Sequence, residues 1–217
     1  MNYKTIIFLI LIASNVYAAE IKKDYLQPEI SIFTGFRNIT DYYSKVVQLF
    51  SNAYGPSVKI RTVVLPSFAT EYAFGIRERD NRYYAFKLSA KSSIWVEYQE
   101  TRGKTISDKS PQNEIEVQEA EAEISQQVYK NLADAWYKML LRTKYPEEKF
   151  GGLDGTSYHF SSYEMRAGWA WSPEPNSQTG YLVKLTELLG QLAESKDSKA
   201  IEKNILNTTT RLMKNLK

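Results

Sequence analysis

The sequence predicts an α+β fold in which an antiparallel β-sheet, made of a meander plus a later hairpin, packs against a long amphipathic helix and C-terminal helices. Three observations support this fold class. Apolar and polar residues alternate over residues 58–98 and again over 157–171, apolar residues recur at helical spacing over 117–139, and leucine-rich segments follow from Leu182. Because each element has one apolar side, we expect sheet and helices to bury these sides against each other.

The first 18 residues have the organisation of a bacterial secretory signal peptide. Lys4 provides the positive charge, residues 6–13 form a short apolar core, and Val16-Tyr17-Ala18 suits the cleavage site, so we expect cleavage before Ala19. The apolar run is shorter than the about 20 residues of a membrane-spanning helix. We therefore expect residues 19–217 to form a single α+β domain, in the periplasm or secreted, without a transmembrane segment.

The composition excludes several classes of function. The chain has no cysteine, which rules out disulfides, thiol catalysis and cysteine-ligated zinc. Its formal net charge of +3 is too small to indicate a nucleic-acid partner. A single histidine is a poor basis for a zinc site. We expect no metal and no cofactor, and the oligomeric state stays open.

The N-terminal half is predicted to contain one helix and a four-stranded meander. The helix is capped by Asn38 or Thr40, has Val46, Val47 and Phe50 on its apolar face, and ends at Gly55-Pro56. The strands alternate over residues 58–64, 72–76, 84–88 and 94–98, with a turn at Asp80-Asn81. We expect one solvent-exposed face. That face carries the four cations Lys59, Arg61, Arg77 and Lys87, which could bind an anion but more commonly keep an exposed sheet from aggregating.

The C-terminal half begins with a polar loop over residues 101–113 and a long helix from about Val117 to Met139, capped near Ser110 or Asn113. The glutamates at 114, 116, 119, 121 and 123 are interpreted as its solvated N-terminal end, or as a docking patch for a basic partner. A hairpin over residues 157–171 then follows the Asp154-Gly155 turn. Two helices rich in leucine and isoleucine complete the chain.

His159 is the one candidate for acid–base chemistry. Ser157 and Ser161 lie two residues to either side of it on the same strand face, so either could approach the ring as a nucleophile, with Asp154 as its orienting acid. No G-x-S-x-G turn presents either serine. The favoured interpretation is a hydrogen-bonded strand histidine, and no catalytic residue is assigned.

An aromatic set on the same hairpin is the candidate binding site. It consists of Tyr158, His159, Trp169 and Trp171. Aromatic residues at such positions commonly pack in the core beneath a helix. Tyrosine and tryptophan also anchor protein interfaces, so a partner-binding face is the second interpretation. The two tryptophans project to one side of their strand and could instead stack on a glycan.

Several segments together are similar to an uncharacterised family of exported proteins of Gram-negative bacteria. They read PSFATEYAFGIRE, KSSIW, MLLRTKYP, GLDGTSYHFS and WSPE, and they span residues 66 to 189. The resemblance implies export and a shared α+β domain. It carries no activity and assigns no functional residue.

The sequence therefore predicts a periplasmic, non-enzymatic binding or inhibitory protein. Its partner would be another protein, and an immunity-type protein that masks a hydrolase delivered to the periplasm would fit. The alternatives are a cell-envelope hydrolase that uses His159 and a glycan-binding protein that uses Trp169 and Trp171.

Overall fold

The computed structural model describes residues 21–29, 37–101, 115–146, 154–162 and 166–216. Within them, an antiparallel sheet of seven strands has the order β1-β7-β6-β2-β3-β4-β5. The strands are β1 (Gln27–Pro28), β2 (Val58–Pro66), β3 (Tyr72–Arg79), β4 (Arg82–Ala90), β5 (Val117–Ile124), β6 (Thr156–Ser162) and β7 (Ala167–Trp171). The helices are α1 (Arg37–Leu49), α2 (Ile94–Thr101), α3 (Gln126–Leu141), α4 (Gln178–Glu194) and α5 (Lys199–Asn215). The α+β prediction is confirmed.

Helices cover both faces of the sheet. Residues of α3, α4 and α5 share one apolar core with sheet residues such as Ile60, Ile76 and Phe160. Residues of α1 and α2 share a second core on the other face, with Val63 and Leu88. The predicted solvent-exposed face is therefore wrong, because α1 and α2 cover the middle of it.

The four strand cations do not form one exposed surface. Arg77 lies over the ring of Phe86, on the α1–α2 side. Arg61 pairs across the strands with Gly75, which pairs in turn with Phe86, and so lies on that same side. Lys87, next along from Phe86, is on the opposite side and donates a hydrogen bond to Glu194 of α4. The sheet thus positions one half-buried arginine, Arg61, close to α1.

The predicted long helix from Val117 to Met139 is two elements. Residues 117–124 form the edge strand β5, which pairs with β4, and α3 begins only at Gln126. Ser125 caps that helix by accepting a hydrogen bond from the Val128 amide. The glutamates at 119, 121 and 123 therefore lie on a strand, where they pair with Arg77, Arg79 and Arg82. The predicted caps Ser110 and Asn113, Glu114 and the loop over 102–113 lie outside the described residues.

The predicted fourth meander strand at residues 94–98 is a helix. The fully buried carboxylate of Glu71 accepts hydrogen bonds from the amides of Ile94 and Trp95, both at 2.8 Å. A carboxylate at this position satisfies amides that a first helical turn leaves without partners. A residue distant in sequence thus starts α2 in a segment whose composition favours a strand.

The remaining elements follow the sequence pattern. Asp80 and Asn81 have φ angles of 53° and 59°, which a two-residue hairpin turn requires at both positions. Val46 on α1 and Phe50 directly after it are buried as predicted, whereas Val47 is exposed. Strands β6 and β7 form the predicted hairpin, and α4 and α5 are the predicted C-terminal helices. The signal peptide lies outside the described residues.

Candidate functional site

Strand β6 places the two neighbouring candidates, Tyr158 and His159, on opposite faces of the sheet. Tyr158 packs against the α3–α4–α5 core and stacks near Phe160, with ring centroids 6.4 Å apart. His159 faces α1, where Tyr43 meets it edge-on at 5.7 Å. The four predicted binding residues therefore do not form one surface, because Tyr158 is on the far side.

Trp169 and Trp171 lie on the His159 face. Trp169 pairs with His159 across β6 and β7, and the two rings are nearly parallel with centroids 6.3 Å apart. The ring of Trp171 covers Gly155 so closely that a β-carbon there would lie 2.5 Å from it. Both tryptophans are half-buried. Each keeps some accessible surface, and glycan stacking stays a prediction.

The acid beside His159 is Glu29, which sequence reasoning did not select. Its Oε1 lies 2.8 Å from Nδ1 of His159. Glu29 follows β1, and the pairing of β1 with β7 brings it to the site. Asp154, the predicted orienting acid, is exposed in the bend before β6. No local pattern links Glu29 to His159 along the chain, so only the sheet order shows this pair.

The hydrogen bond to Glu29 and two aromatic contacts fix the His159 ring. When the imidazole is neutral, a carboxylate partner places its proton on Nδ1 and leaves Nε2 as an acceptor. Nε2 is buried and has no hydrogen-bond partner among the described residues. A buried polar atom without a partner costs about 1–3 kcal/mol, so a group that bonds to Nε2 would recover that cost. Among the described residues, neither Ser157 nor Ser161 forms a hydrogen bond with the His159 ring.

A cavity of about 240 Å³ lies between α1 and strands β2 and β6; we call it the His159 cavity. Its wall includes Glu29, Tyr43, Tyr54, Arg61, Leu65 and His159. Burial raises the pKa of Tyr43 and of Tyr54, so both side chains are neutral hydroxyl donors over an extended pH range. The cavity thus combines an apolar wall with a few fixed polar groups, the usual composition of a small-ligand site.

Arg61 is the cation of this cavity. Its Nη1 donates a hydrogen bond of 2.9 Å to the carbonyl of Ala53, and its guanidinium lies 3.8 Å from the centroid of the Tyr54 ring. Burial lowers the pKa of Arg61, although an arginine stays protonated under physiological conditions. Among the described residues Arg61 has no carboxylate within ion-pair distance.

A second concavity, of about 440 Å³, adjoins the first; we call it the cationic cleft. It shares Tyr54, Arg61, Ser161 and Ala167 with the His159 cavity. Its wall adds two further cations, Lys59 and Arg166. Arg61 therefore stands at the boundary between an aromatic cavity and a positively charged cleft.

Two further features are absent from the part of the chain that the structure describes. That part contains no group of three or more histidine or acidic side chains placed to hold a metal ion. None of its helices has the length and apolar character needed to cross a membrane.

No family model matches the chain, and neither a curated protein nor a solved structure is significantly similar to it.

Proposed function

We propose that this chain is an exported, non-enzymatic binding or inhibitory protein whose recognition site is the His159 cavity. The observation that carries the proposal is the fixed arrangement at that cavity. Glu29 and two aromatic rings hold His159, and a main-chain carbonyl and a tyrosine ring hold Arg61. Polar groups that are already ordered lose little conformational entropy on binding, so such a site suits tight recognition.

A protein is the partner class we propose, and an immunity-type role, in which the chain masks a hydrolase delivered to the periplasm, is one form of it. A partner side chain that enters a concave site becomes fully desolvated, and such residues supply most of the energy of an interface. The His159 cavity offers one such position, with aromatic side chains on its wall.

Affinity capture tests this function. Residues 19–217, tagged, would be incubated with envelope and secreted fractions of the source species, and a stoichiometric partner would then be purified and titrated back. We expect His159→Ala to weaken binding about tenfold or more, the loss typical of a central interface residue. Tyr145→Ser is the control, because Tyr145 is 81% exposed in the segment that follows α3. Equal loss in both variants would contradict a site at the cavity.

Export is a separate part of the proposal. Expression of the full chain in a Gram-negative host should yield a mature protein that begins at Ala19 and is recovered from the periplasm or the medium. Intact-mass measurement gives the cleavage position. Replacing Ala18 with a bulky residue should block processing, because signal peptidase requires a small residue there. An unprocessed protein in the cytoplasm would contradict export and leave the binding proposal open.

A cell-envelope hydrolase is the second candidate. The Glu29–His159 hydrogen bond favours it, because an acid that orients a histidine is the arrangement that activates a nucleophile in hydrolases. Hydrolysis of purified envelope material by residues 19–217, lost in His159→Ala and reduced in Glu29→Gln, would support this candidate. Activity that survives His159→Ala would remove it.

A further inference from the structure

The cationic cleft differs in charge from the cavity beside it. Lys59, Arg61 and Arg166 line the cleft, and no acidic residue does so in the described part of the chain. Lys59 pairs with Glu78 at 2.7 Å, which offsets part of its charge. Arg166 lies over the ring of Tyr137. Among these three cations, Arg61 forms no ion pair with a described residue, and it is therefore the one best placed to attract an anion.

Arg61 retains binding capacity. A guanidinium has five N–H donors, and the hydrogen bond to the Ala53 carbonyl uses one of them. Ser161 and Ser162 add hydroxyl groups to the cleft wall, and Oγ of Ser162 is buried without a hydrogen-bond partner among the described residues. Ser161 pairs with Arg61 across β2 and β6 and shares its face, whereas Ser162 pairs with Ile60 on the side of the α3–α4–α5 core. An arginine held in place beside a hydroxyl group is well suited to a planar oxyanion such as a carboxylate.

The His159 cavity suits an apolar group rather than a second anion. The carboxylate of Glu29 lies on its wall and would repel a second anion there. A dry apolar cavity of roughly 150 Å³ holds a benzene ring, so about 240 Å³ is enough for an aromatic or branched aliphatic side chain. Because Tyr54, Arg61 and Ala167 belong to both concavities, one occupant can extend across both.

We infer that this composite site binds a carboxylate joined to an apolar or aromatic group, the chemistry of the C-terminal residue of a peptide chain. The carboxylate lies in the cationic cleft against Arg61, and the side chain enters the His159 cavity. This inference rests on the proposed function and specifies what the partner presents. The charge difference between the two concavities, rather than their size, determines which end of the ligand enters which.

The probes are N-acetyl-phenylalanine, its amide, and acetate, each titrated into ¹⁵N-labelled residues 19–217 and followed by NMR. We expect the acid to shift resonances of β2, β6 and β7 and to bind about tenfold or more tightly than either the amide or acetate. Equal affinity of acid and amide, shifts confined to other elements, or the absence of shifts would overturn the inference.

Two variants place the binding. Arg61→Gln should lower the affinity for the acid about tenfold or more and leave the weak binding of the amide unchanged. Its control is Lys87→Gln, which removes a cation from the other face of the sheet. Ala167→Trp should block both probes without disturbing the core, because Ala167 is exposed at the junction, and Ala69→Trp is its control on an exposed loop.

Comparison with the capture experiment separates the two proposals. A partner that binds at the cavity while no probe does would leave the proposed function standing and overturn the ligand class. Probe binding without any protein partner would support the ligand class and contradict the proposed function. Where a partner is found, removal of its last residue should abolish binding. If binding survives that removal, the C-terminus of the partner is not the ligand, and the carboxylate that the site binds is that of a small acylated acid.

Discussion

The hydroxyl of Tyr42 on α1 donates a hydrogen bond of 2.9 Å to the carboxylate of Glu71, which is itself fully buried. The same carboxylate accepts the Ile94 and Trp95 amides at the start of α2. Glu71 thus joins the two helices that cover this face of the sheet. Its three hydrogen bonds offset the cost of burying this carboxyl group.

Glu71→Ala should lower the free energy of unfolding by about 3 kcal/mol, because it leaves two amides and a hydroxyl buried without an acceptor. Tyr42→Phe removes one donor only and should cost about 1 kcal/mol. Urea denaturation followed by circular dichroism measures both values. If the two variants were equally stable, Glu71 would not be the residue that joins α1 to α2.

Sequence patterns predict the hairpins well, because strict alternation and a left-handed turn pair such as Asp80-Asn81 are local signals. They fail at Val117–Ile124, where positions 117, 120 and 124 also fit a helix and the deciding interaction is pairing with β4. They fail again at α2, whose first turn depends on Glu71. Both failures have one cause, namely contacts between residues far apart in sequence.

The candidate site shows the same limit. His159, Trp169 and their shared face follow from alternation and from the hairpin that pairs them. Glu29 does not, because the pairing of β1 with β7 brings it to the histidine from a distant part of the chain. Arg61 lies near the histidine because its strand, β2, pairs with β6. Sequence reasoning identified His159 and Trp169 and named Arg61 among four strand cations, but it missed Glu29 and did not place Arg61 beside the histidine.

Arg77 should contribute more to stability than the other arginines that face the edge strand β5. It lies 2.7 Å from Glu119 and 3.4 Å from Glu121, and its side chain is only 16% exposed. Arg77→Gln leaves both carboxylates without their most buried cation, and we expect a loss of about 1–3 kcal/mol. Arg82→Gln is the control and should cost less than about 1 kcal/mol, because that side chain is 64% exposed. If the two variants lost similar amounts of unfolding free energy, and if high salt removed both losses, Arg77 would not contribute more than Arg82.

Gly190 allows α4 to lie close to β3. A β-carbon at this position would be 2.1 Å from Cε1 of the Phe74 ring. Overpacking of this kind costs about 1–3 kcal/mol, and the higher helix propensity of alanine recovers up to about 1 kcal/mol, so Gly190→Ala should destabilise the fold. Gln191→Ala, on the exposed side of the same helix, should change stability by less than about 0.5 kcal/mol. Adding Phe74→Leu to Gly190→Ala should restore part of the loss, and strictly additive effects would contradict the contact.

Tyr72 should make the fold sensitive to alkaline pH. Burial, with smaller effects from Tyr158 and Glu187, raises the pKa of Tyr72 to about 12, from 10 in the unfolded chain. Because the folded-state value is the higher one, the stability that this group contributes is complete below pH 10 and is lost as the pH rises from about 10 towards 12.

Tyr72→Phe should therefore lose less stability over this window than the wild type, whereas Tyr145→Phe, at an exposed position, should behave like the wild type. Unfolding free energies measured from pH 9 to 12 test this, and parallel curves for wild type and Tyr72→Phe would show that the Tyr72 hydroxyl ionises equally in both states.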